Sequence, residues 1–205
     1  MELLARIIEL LAVFAGAISG SLEARAKQMD LIGVYFVALA TALGGGTMRD
    51  LFLNRHPLFW VGDARYPLYV LIFALIAILL VRRGRGSDRR LLLAIDVSDA
   101  IGLGLFSMVG ASYALAAGRE PAVAVLIGMT NGIFGGVVRD VLCNEIPAVF
   151  RRNTQLYATC AFTGCVGYLL LMGAGISQGT AFGCGIAITF GLRLLAIRFN
   201  LGLPV

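Results

Sequence analysis

Apolar residues fill seven stretches of the chain, and charged residues gather in the short segments between them. Most stretches approach about 20 residues, the length at which an α-helix crosses the hydrocarbon core of a bilayer. The pattern therefore predicts an all-α transmembrane protein of seven helices, and its short connections indicate a single membrane domain, 1–205. The predicted spans are 3–22, 31–53, 67–82, 91–113, 121–143, 156–173 and 179–199.

An internal repeat relates the two halves of the chain through a constant offset of 90 residues. The offset pairs Gly45-Gly46 with Gly135-Gly136, Arg49-Asp50 with Arg139-Asp140, Asn54 with Asn144, Pro57 with Pro147, and Glu9 with Asp99. One offset maintained across two helices and a loop indicates a duplication. We predict a first three-helix repeat over 1–85, a second over 91–175, and an extra C-terminal helix over 179–199.

The number of helices in each repeat predicts how the halves are oriented. Three spans are an odd number, so the second repeat enters the membrane from the opposite side. The halves are then inverted repeats about an axis in the membrane plane, an arrangement typical of transport proteins.

Composition and charge agree with a membrane protein. The chain is 59% hydrophobic and 14% charged, with a mean hydropathy of +0.88. The net charge of +5 comes largely from a loop containing Arg82, Arg83, Arg85, Arg89 and Arg90, which lacks the aromatic residues of a nucleic-acid site. We therefore expect no nucleic-acid partner. The Lys and Arg distribution places the N-terminus outside and the C-terminus in the cytoplasm.

Glycine runs interrupt the second and fifth spans at matching positions. They are Gly44, Gly45 and Gly46 in the first half, and Gly135 and Gly136 in the second. Glycine costs about 1 kcal/mol per residue in a helix interior, so we predict helix breaks here. The freed carbonyls would suit a cation beside a water-filled path. The alternative is that these glycines only allow close helix packing.

Charged residues follow both glycine runs at membrane depth, where a charge costs a few kcal/mol. They are Arg49, Asp50, Arg139 and Asp140. Adjacent helical residues do not face each other, so we expect partners elsewhere. The hypothesis pairs Arg49 with Asp140 and Arg139 with Asp50 across the pseudo-twofold axis, or either arginine with other acids. Such pairs either gate a path or hold the structure together.

The other acids are Glu9, Asp96 and Asp99, of which Asp96 and Asp99 share one face of the fourth span. They either attract cations into the protein or anchor helix ends at the headgroups. We find no catalytic triad, phosphate-binding loop or His/Cys metal constellation. The sequence predicts neither an enzyme nor a metal or cofactor site.

The segments GGGTMRDLFLNRHPLFW and GGVVRDVLCNEIPAVF, with the ending LRLLAIRFNLGLP, suggest a family. They resemble the bacterial relatives of the trimeric intracellular cation (TRIC) channels, which also carry the label glycine transporter domain. The resemblance implies a homotrimer with a potassium-permeable pore in each protomer, beside glycine-kinked helices 2 and 5. It favours a prokaryotic plasma membrane.

Two functions remain open from the sequence. The first is a monovalent cation channel that conducts K⁺, with Na⁺ as a further candidate. The alternative is a secondary transporter of a small zwitterion such as glycine. Inverted repeats and broken helices are compatible with both.

Overall fold

A computed structural model describes residues 2–80, 89–151 and 156–202. Within these ranges the chain forms seven α-helices and one short 3-10 helix, Ala148–Phe150. The helices are α1 (Glu2–Ala26), α2 (Leu31–Phe52), α3 (Arg65–Leu80), α4 (Arg89–Ala116), α5 (Pro121–Leu142), α6 (Tyr157–Gly173) and α7 (Gln178–Phe199). The predicted fold class is confirmed. Arg82, Arg83 and Arg85 of the predicted basic loop lie outside the described residues.

The helices differ in length. By length and composition, α1, α2, α4, α5 and α7 can each cross a membrane, whereas α3 and α6 are shorter apolar helices. The central bundle consists of α1, α2, α4 and α5, which pack against one another. In the first half α3 packs on α1 and α2, and in the second α6 packs on α4 and α5. The additional helix α7 packs on α4 and α6.

The ends of α2 and α5 share one local structure. Asn54 and Asn144 have positive φ angles of 52° and 57°, a conformation that asparagine tolerates better than most residues. The amide of the next residue bonds back to the carbonyl of Asp50 or Asp140, at 2.8 Å in both halves. This Schellman arrangement ends each helix and turns the chain back over the charged residues that precede it.

The equivalent helices α2 and α5 run antiparallel. Gly45 lies opposite Asn131, and Gly135 lies opposite Thr41, so residue numbers rise on one helix as they fall on the other. Thr41 and Asn131 are themselves related by the 90-residue offset. The contact is therefore reciprocal, and it is the contact expected of inverted repeats.

The predicted helix breaks are wrong. Helix α2 continues through Gly44, Gly45 and Gly46, and α5 continues through Gly135 and Gly136. An ideal Cβ on Gly45 would lie 2.0 Å from the Asn131 carbonyl oxygen, and one on Gly135 would lie 2.2 Å from that of Thr41. These glycines allow two backbones to touch, which was the alternative interpretation. Their cost in helix propensity is offset by close packing between helices.

Candidate functional site

Arg49 of α2 is the centre of a buried charge cluster. Its side chain donates a hydrogen bond from Nη1 to Oε1 of Glu9 on α1, and another from Nε to Oδ1 of Asp50 at 2.8 Å. All three residues are at most 3% exposed. A buried cation is tolerated when acids neutralise it and accept its hydrogens, and two carboxylates do so here.

Arg139 of α5 is the centre of an equivalent cluster in the second half. Its Nη1 donates to Oδ1 of Asp99 on α4 at 2.6 Å, and its Nε donates to Oδ1 of Asp140 at 2.9 Å. Ser19 of α1 supplies a further contact to Nη1. The two clusters thus use the same atoms at positions 90 residues apart, except that Ser19 serves only the second.

The predicted pairing of Arg49 with Asp140, and of Arg139 with Asp50, is wrong. Each arginine instead bonds to the acid beside it in sequence and to the acid on the first helix of its own repeat. The long arginine side chain can fold back onto an adjacent carboxylate, which the rule for helical neighbours does not consider. The alternative of other acids holds for Glu9 and Asp99.

Asp50 and Asp140 also hold the loops that follow their helices. Oδ2 of Asp50 accepts the amide of Phe59 at 2.8 Å, and Oδ2 of Asp140 accepts the amide of Ala148 at 2.8 Å. Each carboxylate therefore joins an arginine and a returning loop. These contacts explain why an acid follows the arginine in both repeats.

Aromatic residues that the sequence pattern did not indicate complete the first cluster. The Arg49 guanidinium lies 4.5 Å from the ring centroid of Tyr113 and 5.3 Å from that of Phe59. The guanidinium of Arg55 lies 4.0 Å from the same Tyr113 ring centroid. Tyr66 donates from its hydroxyl to Oε2 of Glu9 at 3.5 Å. Cation–π contacts add to the stabilisation of such buried cations.

In the second cluster Tyr157 of α6 occupies the place that Tyr66 of α3 has in the first, close to Asp99. The two tyrosines are 91 residues apart rather than 90, so a search at one fixed offset misses the relation. Tyr157 also contacts the Arg193 guanidinium of α7, whose centre lies 4.7 Å from the ring centroid.

Two cavities of about 620 Å³ lead to these clusters. We name each cavity after the cluster acid that lines it, which is Glu9 in one cavity and Asp99 in the other. The Glu9 cavity has among its lining residues Arg6, Glu9, Arg55, Asp63, Arg65, Tyr66 and Tyr113. The Asp99 cavity has among its lining residues Glu23, Lys27, Asp96, Asp99, Arg139, Asp140, Glu145, Arg151 and Arg193.

The cavities open at opposite ends of the bundle. Glu9 and Glu23 both belong to α1, but Glu9 lines one cavity and Glu23 lines the other. Fourteen residues of helix separate them, which corresponds to about 21 Å at 1.5 Å per residue. Each cavity therefore enters the central bundle from its own end.

Between the cavities the bundle is closed, and we call this region the waist. It includes the α2–α5 contact at Gly45 and Gly135. A void of about 20 Å³ remains beside it, lined by Thr41, Asp99, Phe106 and several glycines. That volume holds about one water molecule. The two cavities are separate spaces in the described part of the chain.

Ion pairs at the cavity mouths keep their members charged. Lys27 after α1 donates from Nζ to Oε1 of Glu145 after α5, and Arg151 pairs with Oε2 of Glu145 at 3.1 Å. The bond lowers the pKa of Glu145 and raises that of Lys27. At the other mouth, hydrogen bonds from Arg65 lower the pKa of Asp63 to about 2. These groups stay ionised at neutral pH.

The remaining predicted site residues are placed as follows. An ideal Cβ on Gly44 would lie at an ordinary 3.6 Å from Gly135 Cα, and one on Gly46 would lie 2.4 Å from the ring of Phe59. Asp96 is half-buried and lines the Asp99 cavity. Among the described residues no group of three His, Cys, Asp or Glu side chains is placed to hold a metal ion.

Comparison with known sequences gives a consistent set of relatives. A family profile described as Glycine transporter matches the chain twice, over residues 6–82 and 96–173. The UPF0126 inner membrane protein YadS of Escherichia coli K12 is 39% identical over 194 residues, which cover 94% of this chain and 90% of YadS. A UPF0126 membrane protein of Vibrio cholerae is 37% identical over 198 residues, covering 97% and 81%.

Solved structures share the whole fold. The TRIC trimeric intracellular cation channel orthologue from Rhodobacter sphaeroides superposes with a TM-score of 0.89 at 32% identity, covering 97% of this chain and 99% of that one. A prokaryotic TRIC channel crystallised in 0.5 M KCl has a TM-score of 0.89 at 29% identity, covering 99% and 100%.

Proposed function

This chain belongs to the Glycine transporter family together with the prokaryotic TRIC channels, and from that premise we propose that it is a potassium-permeable cation channel. Each protomer would contain its own pore, running from the Glu9 cavity through the waist to the Asp99 cavity. Potassium is the main permeant ion in this proposal, with sodium as a second.

One observation carries the proposal, namely two polar cavities that enter the membrane domain from opposite ends and face each other across a thin waist. Polar cavities of this size in a lipid-facing bundle are otherwise costly, because the groups lining them need water. The buried arginines at the inner ends are neutralised by carboxylates, so they do not by themselves repel a cation. A hydrated ion can thus approach the waist from either side.

In this conformation the proposed pore is closed. The α2–α5 contact leaves no space between Gly45 and the Asn131 carbonyl, or between Gly135 and the Thr41 carbonyl. Opening requires α2 and α5 to separate or slide here. The glycines favour such a movement, since they present a flat surface with no side chain to interlock.

The relatives support a proposal for assembly and location. We propose a homotrimer, in line with the trimeric name of the Rhodobacter sphaeroides neighbour, in the prokaryotic inner membrane, where YadS is placed by its name. The N-terminus would lie outside and the C-terminus in the cytoplasm, because the basic loops then face the cytoplasm.

A secondary transporter of a small zwitterion such as glycine is the second candidate. Arginines and carboxylates line both cavities, and together they could bind the two charges of an amino acid. Two cavities separated by a closed waist also suit alternating access. The two buried arginines, Arg49 and Arg139, however, already bond to two acids each, which leaves them poorly placed to receive a substrate carboxylate.

Planar-bilayer recording of the purified protein in asymmetric KCl tests the proposal. A channel gives unitary currents that reverse near the potassium equilibrium potential. Bilayers without such currents, together with saturable glycine uptake into proteoliposomes, would overturn it in favour of the transporter. Bilayers that receive detergent without protein are the control.

A further inference from the structure

The duplication has placed different charges at equivalent positions of the two cavities. Asp96 lines the Asp99 cavity, while the residue 90 positions earlier, Arg6, lines the Glu9 cavity. Glu23 lines the Asp99 cavity, while its equivalent Tyr113 lines the Glu9 cavity. At both positions an acid on one side of the waist corresponds to a cation or a neutral group on the other.

The loop residues at the mouths differ in the same sense. Glu145 lines the Asp99 cavity, and its equivalent Arg55 lines the Glu9 cavity. In total, five carboxylates and four cations line the Asp99 cavity in the described part of the chain, whereas two carboxylates and three cations line the Glu9 cavity. Among the described lining residues the formal charge is therefore negative in the Asp99 cavity and positive in the Glu9 cavity.

The acids of the Asp99 cavity are not all neutralised by direct contact. Asp99 and Asp140 pair with Arg139, and Glu145 pairs with Lys27 and Arg151. Glu23 and Asp96 have no salt bridge within 4.0 Å among the described residues, and both are half-buried. Arg193 acts on Asp96 and Arg139 acts on Glu23 through space, and both carboxylates also face the cavity that they line.

We propose, on the basis of the proposed channel function, that Glu23 and Asp96 make conduction asymmetric. They raise the local potassium concentration at the Asp99 end of the pore, while Arg6 lowers it at the Glu9 end. A cavity lined with one sign of charge concentrates its counter-ions in this way. Cations therefore pass more readily from the Asp99 cavity to the Glu9 cavity than in reverse, and Glu23 and Asp96 determine this property without binding an ion in place.

Salt provides a first test that needs no variant. The Debye length is about 10 Å at 0.1 M salt and about 3 Å at 1 M, so the cavity charges act on passing ions only in dilute KCl. We expect the single-channel currents at equal positive and negative voltages to differ by about 1.5-fold or more in symmetric 0.1 M KCl. The difference should disappear at 1 M.

Isosteric variants provide the second test. The double variant Glu23→Gln/Asp96→Asn should give nearly symmetric currents at low salt and retain the wild-type conductance at high salt. Glu120→Gln is the matched control, because it removes an exposed carboxylate that lines neither cavity. That variant should keep the wild-type asymmetry.

The outcomes separate this inference from the proposed function. Symmetric wild-type currents at low salt overturn the inference and leave the channel intact, as does an asymmetry that persists at high salt or in the double variant. The absence of any cation current from the wild-type protein overturns the channel, and the inference with it. If the double variant does not fold, the salt dependence of the wild type still decides.

Discussion

The backbone carbonyl oxygen of Asn131 occupies the space that a side chain on Gly45 would need, since an ideal Cβ would lie 2.0 Å from it. The same holds with the repeats exchanged, because the carbonyl oxygen of Thr41 lies 2.2 Å from an ideal Cβ on Gly135. Two helices that touch through bare backbone at two symmetric points can be disturbed by a single methyl group at either.

Alanine at Gly45 or Gly135 should therefore destabilise the protein by about 1–3 kcal/mol, the usual cost of overpacking. Gly44→Ala is the matched control in the same glycine run of α2, because its Cβ would lie at an ordinary 3.6 Å from Gly135 Cα. It should be neutral or stabilise the helix by up to about 1 kcal/mol. Thermal unfolding in detergent measures the difference, and equal effects at Gly44 and Gly45 would contradict the packing.

Glu9 and Arg49 should be strongly coupled. Glu9→Gln leaves the buried Arg49 guanidinium with less compensation, and loss of one partner from such a pair costs about 3–5 kcal/mol. The double variant Glu9→Gln/Arg49→Gln should then cost less than the sum of the single variants, by about 0.5–3 kcal/mol.

The matched comparison is the double variant Arg49→Gln/Asp140→Asn, whose residues belong to different clusters. Its effects should add to within about 0.5 kcal/mol. Denaturation equilibria in mixed micelles supply the free energies. A coupling free energy between Arg49 and Asp140 well above this value would contradict the structure and support a direct pair between these two residues.

The Lys27–Glu145 ion pair should make stability depend on pH at both extremes. The lowered pKa of Glu145 adds stability that is lost as pH falls below the ordinary value of 4.5 and through the folded pKa. The raised pKa of Lys27 adds stability that is lost as pH rises above 10.5. The side chains of Lys27 and Glu145 are 34% and 38% exposed. Solvent therefore screens the ion pair, and each effect on the free energy of unfolding should stay below about 1 kcal/mol.

The measurement compares apparent melting temperatures of the wild type and Glu145→Gln across the pH range. The difference between them should be largest between the two pKa values and shrink at both ends. A constant difference at all pH values would mean that the ion pair contributes nothing measurable.

The proposed orientation predicts labelling from opposite sides of the membrane. Glu120 and Lys27 are both exposed and lie in loops separated by an odd number of helices. In a Cys184→Ser background, Glu120→Cys should react with an impermeant maleimide added to intact spheroplasts, and Lys27→Cys only after lysis. The reverse pattern would place the N-terminus in the cytoplasm.

The hydrophobic pattern was sufficient to predict the fold. The seven predicted apolar stretches form the seven helices of the described residues. In lipid each segment must make its own backbone hydrogen bonds, so an apolar pattern predicts a helix more firmly than it does in a soluble protein. The 90-residue offset also located the residues of the two buried clusters, which are Glu9, Arg49 and Asp50 and their equivalents.

Contacts within the site were harder to predict. Glycine favours a break by propensity and close packing by size, and only the tertiary contact of Gly45 with Asn131 decides between them. The partner of Arg49 depended on side-chain rotamers, which a one-dimensional pattern does not contain. Tyr66 and Tyr157 were missed because the segment from Pro147 to Tyr157 is one residue longer than the segment from Pro57 to Tyr66. This shifts the spacing of the two tyrosines to 91 residues.

The short waist determines where a membrane voltage acts. The α2–α5 contacts place Arg49 and Arg139 about twelve residues apart along antiparallel helices, or about 18 Å at 1.5 Å per residue, in a hydrocarbon layer of about 30 Å. In the proposed pore, water in both cavities would carry the bulk potential inward and concentrate the electric field between the two arginines. A charge that crosses this interval gains about 2.3 kcal/mol per 100 mV, although it travels only part of the bilayer thickness.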